Sequence, residues 1–361
     1  MVIEMYMRSS YNTDDVKILL KDITGLVAPQ SAQERERLIQ SGRHYSEMLP
    51  IEYRPSEKYM EAYRQALKHY AKPVADATAV LAKKIIRRRG GSVVLVSLAR
   101  AGIPIGVLLK RYLKKYYNIN AEHYAVSIIK GRGIDDNAMR YILSRHKAQE
   151  LQFVDGWIGK GAIFGELEKC VGAYEGVSGE LAVIADPAGV TDLCGTHEDI
   201  LIPSSCLNCT VSGLISRTFL RSDIIGEKDF HGAVYYGELA DEDLSYDFID
   251  AIEKRFDFPP THEENDISVT FGGKISGIDE VKRIAEFFSV DDINLIKPSI
   301  GEATRVLLRR VPWKVLINER DKNDEALAHL LRLAEEKKVS VEYYPLVNYK
   351  ACGIIRKMAE M

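Results

Sequence analysis

Three times between residues 93 and 167 an apolar, β-branched run gives way to a loop of small residues and then to a helical pattern. This repetition restricts the possible folds more than any other feature. Strands that alternate with helices in this way pair in parallel through right-handed crossovers, with the helices covering the sheet. The first run, Val93-Val94-Leu95-Val96, passes into Ser97-Leu98-Ala99-Arg100-Ala101-Gly102, and Pro104 sits near the start of a helix that reaches Leu113. The second, residues 124–129, passes into Lys130-Gly131-Arg132-Gly133-Ile134-Asp135, with a helix over residues 136–146. The third is residues 151–163, LQFVDGWIGKGAI. A fourth strand, residues 181–185, ends in Asp186-Pro187-Ala188-Gly189. The expected fold class is α/β with an open parallel sheet whose ligands sit at the carboxyl ends of the strands.

The third unit carries the most chemistry. Its strand ends on an acid, Asp155, and a glycine-spaced turn follows: Gly156, Trp157, Ile158, Gly159, Lys160, Gly161. Strand, small-residue loop and helix N-terminus together offer unpaired N–H groups to a phosphate, and Lys160 adds a positive charge. Asp155 is suited to accept hydrogen bonds from ribose hydroxyls. The spacing is neither that of a P-loop nor the G-x-G-x-x-G of dinucleotide folds, and ordinary turn chemistry is the competing reading. In the first unit, Arg100 among small residues is suited to grip a diphosphate through several N–H groups.

The ends of the chain read differently. Residues 1–80 form a mostly helical N-terminal region, with a capping box at Ser31-Ala32-Gln33-Glu34 and a helix over residues 57–70, and beyond it Arg87-Arg88-Arg89 before Gly90-Gly91 read as a helix end. Residues 81–255 hold the parallel-sheet pattern, and residues 256–266, FDFPPTHEEND, read as a linker. From 267 to 361 a second small α/β domain follows: strand ISVTFGG, helix 279–288, a strand near 293–296, helix 300–309, strand WKVLIN, helix 324–336, strand VSVEYYPL and helix 349–358. A net charge of −3 over 361 residues argues against a broad electrostatic attraction to nucleic acid. No signal peptide and no apolar run of roughly 18–20 residues is evident, and five cysteines, an odd number, suit reduced thiols. A cytoplasmic protein with no membrane partner is expected.

The apolar strand, Asp155 and the 156–161 loop resemble the phosphoribosyl-diphosphate (PRPP) signature of type I phosphoribosyltransferases, although Gly156 stands where most members carry a second acid. The 97–102 loop resembles their pyrophosphate loop and precedes the signature, as it does in that family. Whole blocks agree over roughly residues 9–255: SGRHYSEML, VVLVSLARAGIPIGVLL, HYAVSIIKGRGID, FVDGWIGKGAI and DPAG…ILIPSSCLN…SGL. Together they resemble the phosphoribosyltransferase-like proteins of tellurite-resistance and stress gene clusters, a family also labelled cysteine protease StiP. GEATRVLLRRVPWKVLIN and LAEEKKVSVEYYPL resemble the Pelota/L7Ae-type RNA-binding fold.

The resemblance implies a sheet of the type I phosphoribosyltransferase kind and a PRPP-dependent transferase that moves the phosphoribosyl group to an unidentified base or nucleoside-like acceptor, in a stress or tellurite-resistance setting. Asp155 would hold the ribose, the 156–161 backbone the 5′-phosphate, and Arg100 with Ala99, Ala101 and Gly102 the diphosphate. Lys130 and Arg132, on a basic loop that reads as mobile, would neutralise the leaving group, a solvated turn being the alternative. Mg2+ would arrive with PRPP rather than on protein ligands. Asp186, Asp192 and Asn208 are acceptor-side candidates, with Ser212 and Arg217 beside Asn208 on an expected helix. The rival readings are a cysteine protease, with Cys206 or Cys209 served by His197, His123 or His44, and a non-catalytic nucleotide-responsive RNA-binding regulator. For the last, Lys297, Arg305, Arg309 and Arg310 are the phosphate candidates, a solvated helical face being the alternative. A zinc site from Cys194, Cys206, Cys209 and His197 is a weaker reading. Oligomer formation is compatible with all of these.

Overall fold

The computed structural model describes residues 6–258 and 275–357. Its first domain is built on six strands: β1 (Lys17–Ile18), β2 (Val94–Leu98), β3 (Glu122–Val126), β4 (Leu151–Trp157), β5 (Leu181–Ala185) and β6 (Cys194–Thr196). They lie in the order β1-β3-β2-β4-β5-β6, and every neighbouring pair is parallel. The expected open parallel sheet is therefore observed. The chain leaves β2 toward β3 and returns on the opposite side of β2 as β4, so the loops after β2 and β4 diverge at a topological switch point.

Both faces of the sheet are covered. In β2 all five residues are buried, with Leu95 in the core on one face and Val94, Val96 and Leu98 in the core on the other. That alternation is the strand period of two applied to a sheet with no wet side. After α1 (Ala32–Gln40), one face receives α2 (Glu57–Arg89), α3 (Gly102–Tyr117) and later α6 (Ser245–Glu253). The other receives α4 (Asp136–Leu143) and α5 (Ala162–Val171). Ser31 caps α1 by accepting from Glu34 N–H, and Gly90 ends α2 at φ +71°, both as the sequence predicts.

The helix expected over 57–70 instead runs unbroken to Arg89, through Pro73. A proline there removes one backbone hydrogen bond. The buried face formed by Ala66, Val74, Ala77, Leu81 and Ile85 outweighs that loss.

The second domain carries β7 (Ile296–Pro298), β8 (Pro312–Ile317), β9 (Ser340–Tyr343) and β10 (Ala351–Ile355), in the order β7-β10-β8-β9. β8 and β9 are parallel, and β10 is antiparallel to both of its neighbours. Its helices are α7 (Gly277–Phe287), α8 (Ile300–Arg309) and α9 (Ala328–Glu336). The helix expected over 349–358 is corrected: residues 351–355 form an interior strand. All five are buried, and Gly353 lets the strand press against Ala303 and Val306 of α8, where an added Cβ would stand 3.0 Å from each. A short apolar run buried on both faces has no period by which to tell a strand from a helix. The strand expected at ISVTFGG lies outside the described residues.

Close packing of α3 on the sheet depends on Gly106. A Cβ there would overlap the His123 ring and the Ser97 hydroxyl, which are hydrogen-bonded to each other at 2.7 Å and fully buried. We predict that Gly106→Ala lowers stability. Overpacking of about 3 kcal/mol outweighs a helix-propensity gain of about 1 kcal/mol. A lower urea midpoint at unchanged m-value would show this; an unchanged or higher midpoint would refute it.

Candidate functional site

The loops at the carboxyl ends of β2 and β4 meet as the sequence predicts. Gly102 faces the Val154 carbonyl closely enough to exclude any side chain, and Ala101 stands beside Gly156. Ala99 N–H donates to Val126 O at 2.8 Å. Arg100 and Asn208, expected on opposite sides of a ligand, are joined directly. The guanidinium donates to Asn208 Oδ1 at 3.0 Å, to Ile215 O at 2.8 Å and to Glu52 Oε1 at 3.3 Å. Asp155 accepts from Gly156 N–H at 2.7 Å. Burial pushes its carboxyl up to about 7, against the pull of that N–H and of Arg305.

The 156–161 loop is covered by the second domain. Trp157 Nε1 donates to Glu302 Oε1 at 3.2 Å, and Arg305 lies over the indole at 5.1 Å. Lys160 Nζ donates to the carbonyls of Ile293 and Ile296, the latter at 3.1 Å. Burial, then Lys297 and Lys130, push its ammonium down to about 7. Tyr349 OH donates to Gly159 O at 2.7 Å. Ile158 N–H donates to Ala185 O, and Gly161 opens α5 at φ +84°.

Lys130 and Arg132 are tied down rather than free. They sit at the tip of a small ribbon pairing Ile128–Ile129 with Gly133–Ile134. Lys130 Nζ donates to Asn294 at 2.8 Å, while Arg132 pairs with Glu47 and donates to Leu220 O at 3.0 Å. Arg132 lines an open cleft with Asp135, Asn137 and His231.

Asn208, Ser212 and Arg217 are not on a helix. They lie among short turns at Pro203–Cys206 and Cys209–Val211, which bury nearly every side chain. Arg217 stacks over Tyr45 at 4.5 Å, and burial, then Arg35, push its guanidinium down to about 9. The four cations expected to meet RNA turn inward. Arg309 donates to Ser205 O and Leu207 O, Arg310 pairs with Glu36 at 2.6 Å, Arg305 covers Trp157, and burial pushes the Lys297 ammonium down. The arginines at the end of α8 are thus engaged in a domain contact while each stays partly exposed. Asp199 completes that contact: its carboxylate accepts Ile300 N–H, at the start of α8, at 3.1 Å and Lys350 N–H at 2.9 Å.

The cysteines resolve differently from expectation. Cys206 and Cys209 are buried, and burial pushes both thiols up to about 12. Two of their expected partners are engaged elsewhere: His123 with Ser97 and the Asp15 carbonyl, His44 with Ser46 and the Lys130 carbonyl. The third, His197, pairs with Cys194. Its Nε2 is 3.4 Å from Cys194 Sγ, and its Nδ1 is 2.9 Å from the main-chain oxygen of Asp186. The Asp186 carboxylate accepts Val190 N–H at 2.6 Å and Thr191 N–H at 2.7 Å through Oδ2, while Oδ1 has no hydrogen-bond partner among the described residues. Asp186 thus braces the 190–191 turn with its carboxylate and meets His197 with its main-chain oxygen. C-x-x-H on an edge strand was the signal in the sequence for this pair. Among the described residues no group of three or more His, Cys, Asp or Glu side chains is placed to hold a metal. None of the described helices is long and apolar enough to cross a membrane.

Residues 9–253 match the family described as tellurite-like stress resistance cysteine protease StiP. Residues 275–357 match the PELOTA RNA binding domain. A relative from Acinetobacter baylyi, named cysteine protease StiP, is 34% identical over 376 aligned residues, covering 100% of this chain and 97% of its own length. These findings overturn the phosphoribosyl-transfer expectation and PRPP as its donor. Family and full-length relative both carry a protease name, and the loop that was to cradle the phosphate is spent on holding the second domain.

The Asp155 carboxyl supplies a test of this geometry. Its value of about 7 lies above the ~3.9 of an unfolded aspartate, so its contribution to stability is full below about pH 4 and is lost as pH rises through 7. Asp155→Asn is expected to match the wild type near pH 4 and to exceed it above pH 7, by on the order of 1–3 kcal/mol. Parallel urea midpoints across pH 4–8 would contradict the burial described here.

Proposed function

This chain belongs to the tellurite-like stress resistance cysteine protease StiP family, and from that premise we propose that it hydrolyses peptide bonds with Cys194 as nucleophile and His197 as base. The observation that carries the assignment is the approach of Cys194 Sγ to the His197 ring, 3.4 Å from Nε2 and 3.7 Å from Nδ1. The Nδ1 proton donated to Asp186 O would leave Nε2 as the acceptor. Burial holds the Cys194 thiol up to about 12, only partly offset by Lys84, so the sulfur is protonated at neutral pH and the pair works by general-base catalysis.

In the first step Nε2 takes the Sγ proton as sulfur bonds to the scissile carbonyl carbon. The carbon–nitrogen bond then breaks, and the imidazolium returns the proton to the leaving amine. Water, deprotonated by the same nitrogen, cleaves the thioester and restores the thiol. Because Cys194 is fully buried, the β6 edge must open before a peptide reaches it. We assign the second domain to RNA binding, a reading supported by its match to the Pelota domain.

Hydrolysis of a fluorogenic peptide library by the full chain is expected to vanish in Cys194→Ala. It should fall by about 10²-fold or more in His197→Ala and persist in Cys206→Ala. Activity retained in Cys194→Ala would overturn the nucleophile assignment. Carboxymethylation of Cys194, followed by mass spectrometry, is expected to rise about tenfold per pH unit between about pH 6 and 8, as for an ordinary thiol reached through opening. A plateau already below about pH 7 would instead mean an activated thiolate.

A further inference from the structure

The second domain's arginine face is already used against the first domain, so an RNA-binding role needs another surface. The surface on offer is aromatic. Phe287, the last residue of α7, is 71% exposed, and Trp313 on β8 is 37% exposed. Phe288 and Tyr344 join them into one array. Ring centroids are separated by 4.9 Å for Phe287 and Phe288, 5.4 Å for Phe287 and Tyr344, and 6.4 Å for Phe288 and Trp313. Lys314 lies 4.2 Å from the Trp313 ring centre and 4.7 Å from that of Phe288.

Exposed rings in such number are costly to leave in water without a purpose. In a β-α-β module they are also a recognised means of holding unpaired bases, because every base has a π-face to stack. We propose that Phe287 and Trp313, braced by Phe288, Tyr344 and Lys314, form a stacking platform for unpaired bases of single-stranded RNA. The inference rests on the reading of residues 275–357 as an RNA-binding domain.

Charge around the platform is mixed. Lys282 and Arg283 on α7 accompany Glu286 one turn later, Lys314 pairs with Glu342 at 2.7 Å, and Lys357 pairs with Asp291 at 2.8 Å. Lys314, the cation that lies on the rings, is thus already engaged by a carboxylate. Affinity then comes from stacking, and the salt dependence is shallow. A duplex, whose bases are already stacked, has little to offer this surface.

The test is fluorescence anisotropy of labelled single-stranded oligoadenylate titrated with the full chain, beside a duplex RNA of equal length. Phe287→Ala and Trp313→Ala are each expected to weaken single-strand binding about tenfold. Phe287→Trp, which keeps a ring, should bind as the wild type does, and Phe287→Leu should behave like the alanine variant. Unchanged affinity in both alanine variants, with the wild type binding RNA, would overturn the platform and leave the RNA reading standing. Equal or tighter binding of duplex would also overturn it. No RNA binding by the wild type would overturn the RNA reading and the platform together.

Discussion

A lysine ammonium buried between two domains holds this molecule in its observed arrangement. Lys160 extends from the loop after β4 and donates to two main-chain carbonyls, those of Ile293 and Ile296, in the other domain. Taking an ammonium out of water without partners costs several kcal/mol, and the depressed value of Lys160 reflects that cost. Hydrogen bonds to charged groups return about 1.5–3 kcal/mol each. The contact therefore contributes position more than net stability: separating the domains would take a charged donor from two carbonyls and return the ammonium to water. Asp199 makes the mirror-image contact, a carboxyl receiving the Ile300 N–H at the start of α8, where the helix dipole favours negative charge, and the Lys350 N–H.

With Lys160 and Asp199 fixing the seam, both driven by burial toward their neutral forms, to about 7, the rest of it follows. Arg309 reaches two carbonyls of the 203–207 turn, and Arg310 reaches Glu36. Trp157 is held between Glu302 and Arg305. A helix rich in arginine on a small α/β domain is easily read as a nucleic-acid face. Here one guanidinium, that of Arg309, bonds main-chain carbonyls of the neighbouring domain, while Arg310 meets the Glu36 carboxylate and Arg305 the Trp157 ring.

What the sequence revealed depended on range. The β2, β4 and β5 runs are apolar on both faces and bounded by small residues, so the parallel sheet was legible, as were the caps at Ser31 and Gly90. The full length of α2 was not legible because burial along it is a tertiary quantity, and the strand at 351–355 was not because a five-residue buried run has no readable period. The loop at 156–161 was correctly placed at a strand end and given the wrong occupant. Its glycines and lysine suit any dense set of backbone contacts, and only the fold brings Ile293, Ile296 and Tyr349 against them. Cys194 and His197 were both visible as residues. Their pairing was not, since three residues along a strand end can place two side chains on one side or on opposite sides.

That pair also joins access to reactivity. Burial lifts the Cys194 thiol from about 9 to about 12, which at about 1.4 kcal/mol per unit makes its thiolate about 4 kcal/mol harder to form. The nearby ammonium of Lys84 donates to the carbonyls of Asp192 and Cys194, so it steadies the main chain more than it lowers the thiol. In the closed form the sulfur is both unreachable and weakly acidic. Opening the β6 edge would admit a peptide and, by rehydrating the sulfur, return the thiol toward its ordinary value. One displacement would then control both whether substrate enters and whether the nucleophile is competent when it does.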